Sequence, residues 1–413
     1  MSKIVLSHPT GNQFVRALLV ELQARELLTR FYTTIATNPG SPWLGMLPAK
    51  FKQELLRRSY PVPRDIIETQ PLKELSRNLL PKLGFKSIAR HEVGWASVDA
   101  VYNELDNKVA NALSQLKIKK GVTGIYAYED GAAASFVMAK SLGLSCFYDL
   151  PIGYWRAAQQ LLAAEAERWP DWAATLPGMH DSAEKLLRKD RELQLADKIF
   201  VASRFTAKTL EFYNGTLAPV EVIPYGFPQV AGREYNKISR SHPLKLLFVG
   251  GLSQRKGIAD VFKTAEFFGN RVELTVVGHK TGNNCPVLNE ALARHTWIPG
   301  LPHQQILKLM HQHDVLLFPS LFEGFGMVIT EAMAQGTPVI TTDRTAGPDI
   351  IEDGHNGWLI EAGNTEKLIE ATERLLMKPE LIEENGKAAI ETAVKRPWQL
   401  YAKQLVASII DEN

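Results

Sequence analysis

LLFVGGLSQRKGIADVFKTAEFF, residues 246–268, changes its period halfway along. It begins with a continuous apolar run, the pattern of a strand buried on both faces of a parallel sheet. From Gly257 onward the apolar residues Ile258, Val261, Phe262 and Ala265 recur at helical spacing, the stripe of a helix that covers such a sheet. Between the two lie Gly250, Gly251 and the cations Arg255 and Lys256. A strand, a glycine turn and a helix in that order form one βα unit, and a chain of such units specifies an α/β fold.

The same unit recurs on both sides. Upstream, KIVLS (3–7), GIYAY (124–128), LSCFY (144–148), KIFVA (198–202) and VEVIP (220–224) read as strands, with helices such as GNQFVRALLVELQAREL and AAASFVMAKSLG between them. Downstream, LKLLFVG (244–250), VELTVVG (272–278), DVLLFPS (314–320), TPVITT (337–342) and GWLIE (357–361) form a second series. QVAGREYNKISRSHP (229–243) is polar and aperiodic, so a boundary is expected near residue 236. The expectation is two Rossmann-like doubly wound domains, 1–236 and 237–394, with a helix at about 395–413 returning to the first. Open parallel sheets bind ligands at the carboxyl ends of their strands, which points to the cleft between the domains.

By itself the turn at 250–257 is weak evidence for phosphate, because an Arg-Lys pair is more often plain surface. FEGFGMVITE (322–331) adds to it. A loop carries Glu323, and Gly324 and Gly326 bracket Phe325 at the start of a helix that holds Glu331. A loop carboxylate can accept from sugar hydroxyls, and one near the helix start can take both hydroxyls of a ribose. Backbone N–H groups bared by glycine suit an anion between them. Either acid alone reads as a solvated residue beside a tight turn. Together with Lys256 they outline a nucleoside diphosphate sugar.

Composition excludes several classes. The chain has 413 residues, 45% hydrophobic and 22% charged, with a net charge of +2, which argues against disorder and against nucleic acid as a partner. Cys146 and Cys285 stand far apart, without the spacing of a zinc site or a disulfide framework. KIVLSHPTGN turns polar too soon for a signal peptide, so the expected place is the cytoplasm. From Lys50 to Arg90 there are ten Lys and Arg against four Asp and Glu, interleaved with Leu and Phe. That stretch reads equally as solvated helices or as a peripheral contact with the inner face of the cell membrane.

In order and spacing, GGLSQRKG, EGFGMVITEAMAQGTPVI and AGPDIIEDGHNG resemble the motifs GRLxxxKG, EGFGxxxxEAMAxGxPVI and GGxxEIIxxGxNG of family 4 of the retaining glycosyltransferases, glycosyltransferase group 1, over residues 244–362. RELQLADKIFVASRFTAKTL followed by VIPYGF resembles the segment that ends that family's N-terminal domain, and the tail at Trp398 resembles its crossover helix. The resemblance implies the GT-B fold of two facing Rossmann-like domains. It implies a donor site of Gly250, Gly251, Arg255, Lys256, Gly324, Phe325, Gly326, Met327 and Glu331, with Glu323 on the donor sugar, Glu331 on the ribose and Lys256 on the diphosphate. The family often has arginine where this chain has Gly251, and Arg255 is the candidate replacement. Where the family commonly carries a histidine, this chain has Tyr128, Glu129 and Asp130.

Asp130 and Asp149, at successive strand ends, join Glu323, Lys256 and Arg255 as catalytic candidates, with loop and helix capping as an equal alternative for the two aspartates. On the acceptor side stand His8, Gly11 and Asn12, with a purely structural role for His8 equally open. Trp95, Trp155, Arg156, Trp169 and Trp172 read as core, as cleft wall or as stacking partners for an acceptor. His311 and His313, two apart, cannot share a metal on a helix. The chain lacks the DxD motif of metal-dependent transferases, and no obligatory cofactor is expected. The expected donor is a UDP-, GDP- or ADP-linked sugar and the expected acceptor a glycan, a lipid-linked molecule or a small metabolite. Two rivals remain at this stage: a nucleotide-sugar epimerase of the same fold and a non-catalytic nucleotide-sugar-binding protein.

Overall fold

A computed structural model describes residues 2–46, 52, 55–176, 181–232, 242–282 and 284–410. The expected boundary near 236 and part of the basic stretch, including Lys50, lie outside the described residues. The first sheet contains β1 (Ile4–Ser7), β2 (Leu28–Thr33), β3 (Ile67–Thr69), β4 (Gly124–Tyr128), β5 (Ser145–Leu150), β6 (Lys198–Val201) and β7 (Val220–Val222), in the order β3-β2-β1-β4-β5-β6-β7. The second contains β8 (Leu244–Val249), β9 (Val272–Val277), β10 (Thr296–Ile298), β11 (Val315–Phe318), β12 (Val339–Thr342) and β13 (Trp358–Ile360), in the order β10-β9-β8-β11-β12-β13. Every pairing is parallel, as in Ile4 with Gly124 and Val315 with Leu246.

Each sheet reverses its winding beside its first strand. β1 has β2 on one side and β4 on the other, and β8 lies between β9 and β11. A crevice opens at the carboxyl ends where strand order reverses, so the loops after β1, β4, β8 and β11 are the ones the topology aims at a ligand.

All ten strands read from the sequence form. β2, β3 and β10 were not foreseen. β2 begins directly after the expected helix 11–27, with no glycine or proline to mark the change: the helix stops at Ala24, and Glu26 takes φ +58, a left-handed turn that a non-glycine residue does not announce. β3 and β10 are three-residue edge strands, too short for a periodic signal.

The last helix, Trp398–Ile410, returns to the first half as expected. It buries Tyr401, Leu405, Val406 and Ile409 in a cluster shared with Phe14, Val15 and Leu18 of the helix Gln13–Ala24. Lys198 Nζ donates to the Ser408 carbonyl at 3.1 Å, and Phe227 N–H to the Arg396 carbonyl at 2.8 Å.

A second tie crosses from the segment after β5. Trp172 leaves the first half to stack on Phe262, with ring centres 5.8 Å apart, inside the core of the second sheet. Thr175 Oγ1 accepts the Gln254 N–H at 2.9 Å, and the Arg168 guanidinium donates to Asp260 at 2.8 Å. Trp172 is thus core, whereas Trp155 donates its indole N–H to Asp190 at 2.8 Å beneath the Arg156 guanidinium.

Candidate functional site

The four loops named by the topology line a cleft of about 500 Å³ between the halves. From the first half come His8, Asn12, Tyr102, Tyr128, Glu129 and Tyr225. From the second come Gly250, Gly251, Lys256, Glu323, Phe325 and Glu331, with Gly324, Gly326 and Met327 between the two acids.

On the second half, Lys256 and Glu323 form an ion pair, and Lys256 Nζ stands 5.0 Å from the centre of the Phe318 ring. Burial, with Arg255 as the lesser cause, drives the Lys256 ammonium well below its usual range, while the carboxylate partner opposes that loss. Arg255 does not line the cleft. Its Nη1 donates to the Phe322 carbonyl at 2.7 Å and lies 3.3 Å from Glu323, so in this state it props the loop. Glu331 is 17% exposed, and burial pushes its carboxyl up to about 7. His303 Nδ1 stands 3.8 Å from its carboxyl oxygen.

Glycine is required at two points of the loop. A Cβ on Gly324 would stand 1.9 Å from the Pro151 carbonyl oxygen of the first half, and Gly326 adopts φ +85. Ser203 Oγ and Thr206 Oγ1 donate to the Gly324 carbonyl at 2.6 and 2.9 Å. Across a trans peptide the Phe325 N–H points away from that anchored carbonyl. Among the described residues no protein acceptor meets the N–H groups of Gly324, Phe325 or Gly326. Three such donors beside a lysine suit an anion.

On the first half, the loop after β1 is fixed from within. His8 Nδ1 accepts the N–H groups of Thr10 and Gly11 at 3.0 and 2.8 Å, which leaves the proton on Nε2. Burial, and then Arg58, lowers its pKa to about 3, so the ring is a neutral, single-tautomer donor. Gly11, at φ +63, has no room for a side chain, because a Cβ would lie 2.1 Å from the Tyr60 ring. Asn12 sits at the helix start without capping it and stays exposed in the cleft.

Asp130 and Asp149 are not brought to the cleft lining. Asp130, at φ +69, pairs with Arg188 at 3.1 Å and Lys189 at 3.6 Å. Asp149 is 3% exposed and accepts the Tyr126 hydroxyl at 2.6 Å, and burial raises it to about 7. The acid that does line the cleft is Glu129, 3.3 Å from Lys189 and pushed up by burial against that cation. It directly follows β4, and this position after the strand was its signal in the sequence.

Elsewhere the charged clusters pair with one another, although Asp99 Oδ2 and Arg188 Nε are buried without a hydrogen-bond partner among the described residues. A cavity of about 770 Å³ runs beside Asp99, Asp106 and Arg188. There Asp106 accepts the N–H groups of Ala134 and Ser135, and Arg188 pairs with Asp99 at 3.1 Å. His91, Glu92 and Asp181 lie close enough to hold a metal, but Glu92 accepts the Ser182 N–H and Asp181 pairs with Lys185 at 3.0 Å.

Residues 234–392 match the family model of glycosyl transferases group 1. Glycogen synthase of Mycobacterium tuberculosis is 25% identical over 272 residues, and the match spans 63% of this chain and 63% of that relative. Among solved structures, sucrose-phosphate synthase from Thermosynechococcus elongatus superposes with a TM-score of 0.66 at 18% identity, covering all of both chains. Anabaena HepE in complex with UDP-glucose does so at 0.61 and 16%, also over all of both chains. The chain thus has the GT-B architecture of two facing parallel-sheet domains, and the half that carries Lys256, Glu323 and Glu331 matches the glycosyl transferases of group 1.

Proposed function

We propose that the protein is a retaining glycosyltransferase that moves a sugar from a nucleoside diphosphate sugar to an acceptor hydroxyl in glycan, polysaccharide or glycolipid synthesis. The observation that carries this reading is the convergence of Lys256, Glu323, Glu331 and the uncommitted N–H groups at 324–326 on one cleft whose opposite wall is polar. Residues 237–394 take the donor and residues 1–236 the acceptor. Glu331 holds the ribose, Lys256 and the loop N–H groups take the diphosphate, and Glu323 accepts from the sugar hydroxyls. The UDP-glucose complex of HepE favours a uridine-linked donor over GDP- and ADP-linked ones.

In the reaction the bond from the anomeric carbon to the diphosphate oxygen breaks as the acceptor oxygen bonds to that carbon on the same face. The released diphosphate takes the acceptor proton. Charge gathers on the leaving oxygen, where prearranged donors have most effect, in a site partly closed to water. Glu323 exchanges its contact with Lys256 for the sugar as the diphosphate arrives to compensate the ammonium. His8 Nε2–H and the exposed Asn12 present the acceptor side, and the Glu129 carboxyl faces the same space.

A thermal-shift panel of nucleotide sugars tests the donor assignment, since selective binding stabilises by mass action. Incubation with the best donor and no acceptor then separates the rivals. Epimerised sugar would overturn the transferase reading, slow hydrolysis is expected, and tight binding without turnover of any donor or acceptor would leave a binding protein.

A further inference from the structure

The helix Leu72–Leu79 is inside out. The residue it buries is Glu74, whose carboxylate accepts from Arg58 at 3.1 Å, Arg77 at 2.9 Å and Asn78 at 3.1 Å. Leu72, Leu75 and Leu79, on one side of the helix by their spacing, are 59%, 39% and 44% exposed. The chain runs on through Leu83 and Phe85, 70% and 63% exposed, and Trp95 meets this helix with Lys73 Nζ 5.8 Å from its ring centre. So many exposed large apolar side chains within one segment point to a docking site.

Charge identifies what docks. From 72 to 95 five Lys and Arg stand against two Glu, and both acids are engaged within the fold, Glu74 as above and Glu92 with the Ser182 N–H at 2.9 Å. Lys82, Lys86 and Arg90 are exposed beside Leu83 and Phe85. An apolar protein partner would have no use for those cations, whereas a lipid surface of negative charge takes leucine and phenylalanine among its chains and lysine and arginine at its phosphates. The segment follows β3, the outermost strand of the first sheet, so docking there holds the acceptor half. We propose that residues 72–95 form an anionic-membrane docking surface. This goes beyond the glycosyltransferase reading and is tested without turnover.

The full chain is sedimented with vesicles of phosphatidylcholine alone or with one quarter phosphatidylglycerol. Binding to the anionic vesicles only, weakening with salt, is expected. Lys86→Gln with Arg90→Gln should lower partitioning about 25-fold, since each cation near such a surface contributes about fivefold. Leu83→Ser with Phe85→Ser should lower it by at least about tenfold. All four side chains are exposed, so the melting temperature serves as a folding control, and Phe85→Trp should shift its fluorescence to the blue on anionic vesicles. Equal binding to both vesicles, or variants that bind like the parent, overturns the proposal. So does a dimer in light scattering that Leu83→Ser with Phe85→Ser dissociates, which would assign the patch to a second copy of this chain.

Discussion

Donor affinity should rise with pH through neutrality, and Glu331 should be the cause. Burial moves its carboxyl from 4.5 to about 7, and in the proposed role it must accept two ribose hydroxyls as a carboxylate. With that midpoint the ionised fraction is about one tenth at pH 6 and about nine tenths at pH 8, so affinity should improve about tenfold, or about 1.4 kcal/mol. The ligand should be a nucleotide sugar, because its two phosphodiester-like groups keep a constant charge across this range while a free diphosphate does not. Titration calorimetry with the best donor at pH 6, 7 and 8 measures the effect. Glu331→Gln should bind weakly and without pH dependence, and a His303→Gln background removes the neighbouring imidazole. The sign for the free protein is opposite. A folded pKa above the unfolded value makes this group's contribution to stability greatest below about 4.5 and lost as pH rises through about 7. Donor stabilisation should therefore grow just where the free protein weakens. A pH-independent dissociation constant for the parent, or a slope that survives in Glu331→Gln, would refute the reasoning.

Lys256→Ala should retain the fold and lose turnover about a hundredfold to a thousandfold, as when one donor to a developing oxyanion is removed, and parental turnover would sink its assignment. Gly324→Ala forces a methyl against the Pro151 carbonyl at 1.9 Å, so the loop or the first half must shift. A loss of about 1–3 kcal/mol in denaturant unfolding is expected, with donor binding lost alongside it. Asp149→Asn removes a buried carboxyl raised to about 7, whose ionisation weakens the fold by up to about 1.4 kcal/mol per pH unit between its unfolded and folded pKa values. Melting temperature followed from pH 5 to 7 should fall less steeply in that variant than in the parent.

The second half was legible because its chemistry is local. Lys256 follows β8 by seven positions, Glu323 follows β11 by five, and Glu331 is carried on the helix that Gly326 starts, so a strand reading alone sets all three at one end of one sheet. The first half resisted for the converse reason. Whether Glu129 or Asp130 faces the cleft depends on Arg188, some sixty residues on, which draws Asp130 aside, and on the φ of +69 that turns its backbone. Asp149 looked equally placed at a strand end until Tyr126, on the neighbouring strand, proved to be its partner.

The ties between the halves constrain how the cleft can work. Ser203 and Thr206 hold the Gly324 carbonyl, Pro151 leaves no space for a side chain there, and Arg168, Trp172 and Thr175 lock a segment of the first half into the second. A rigid opening about residues 224–227 and 396–397 alone would have to break all of these at once, including the buried contacts of Trp172. The cheaper motion is local. Glu323 and Lys256 part while Arg255 and the Ser203 anchor keep the loop backbone in place, and the donor enters with the halves already facing. On that view nucleotide binding should change small-angle scattering little, while Ser203→Ala, which loosens the anchor without touching the ligand, should reduce turnover more than donor affinity. A large compaction on binding would show instead that the ties form only around the donor.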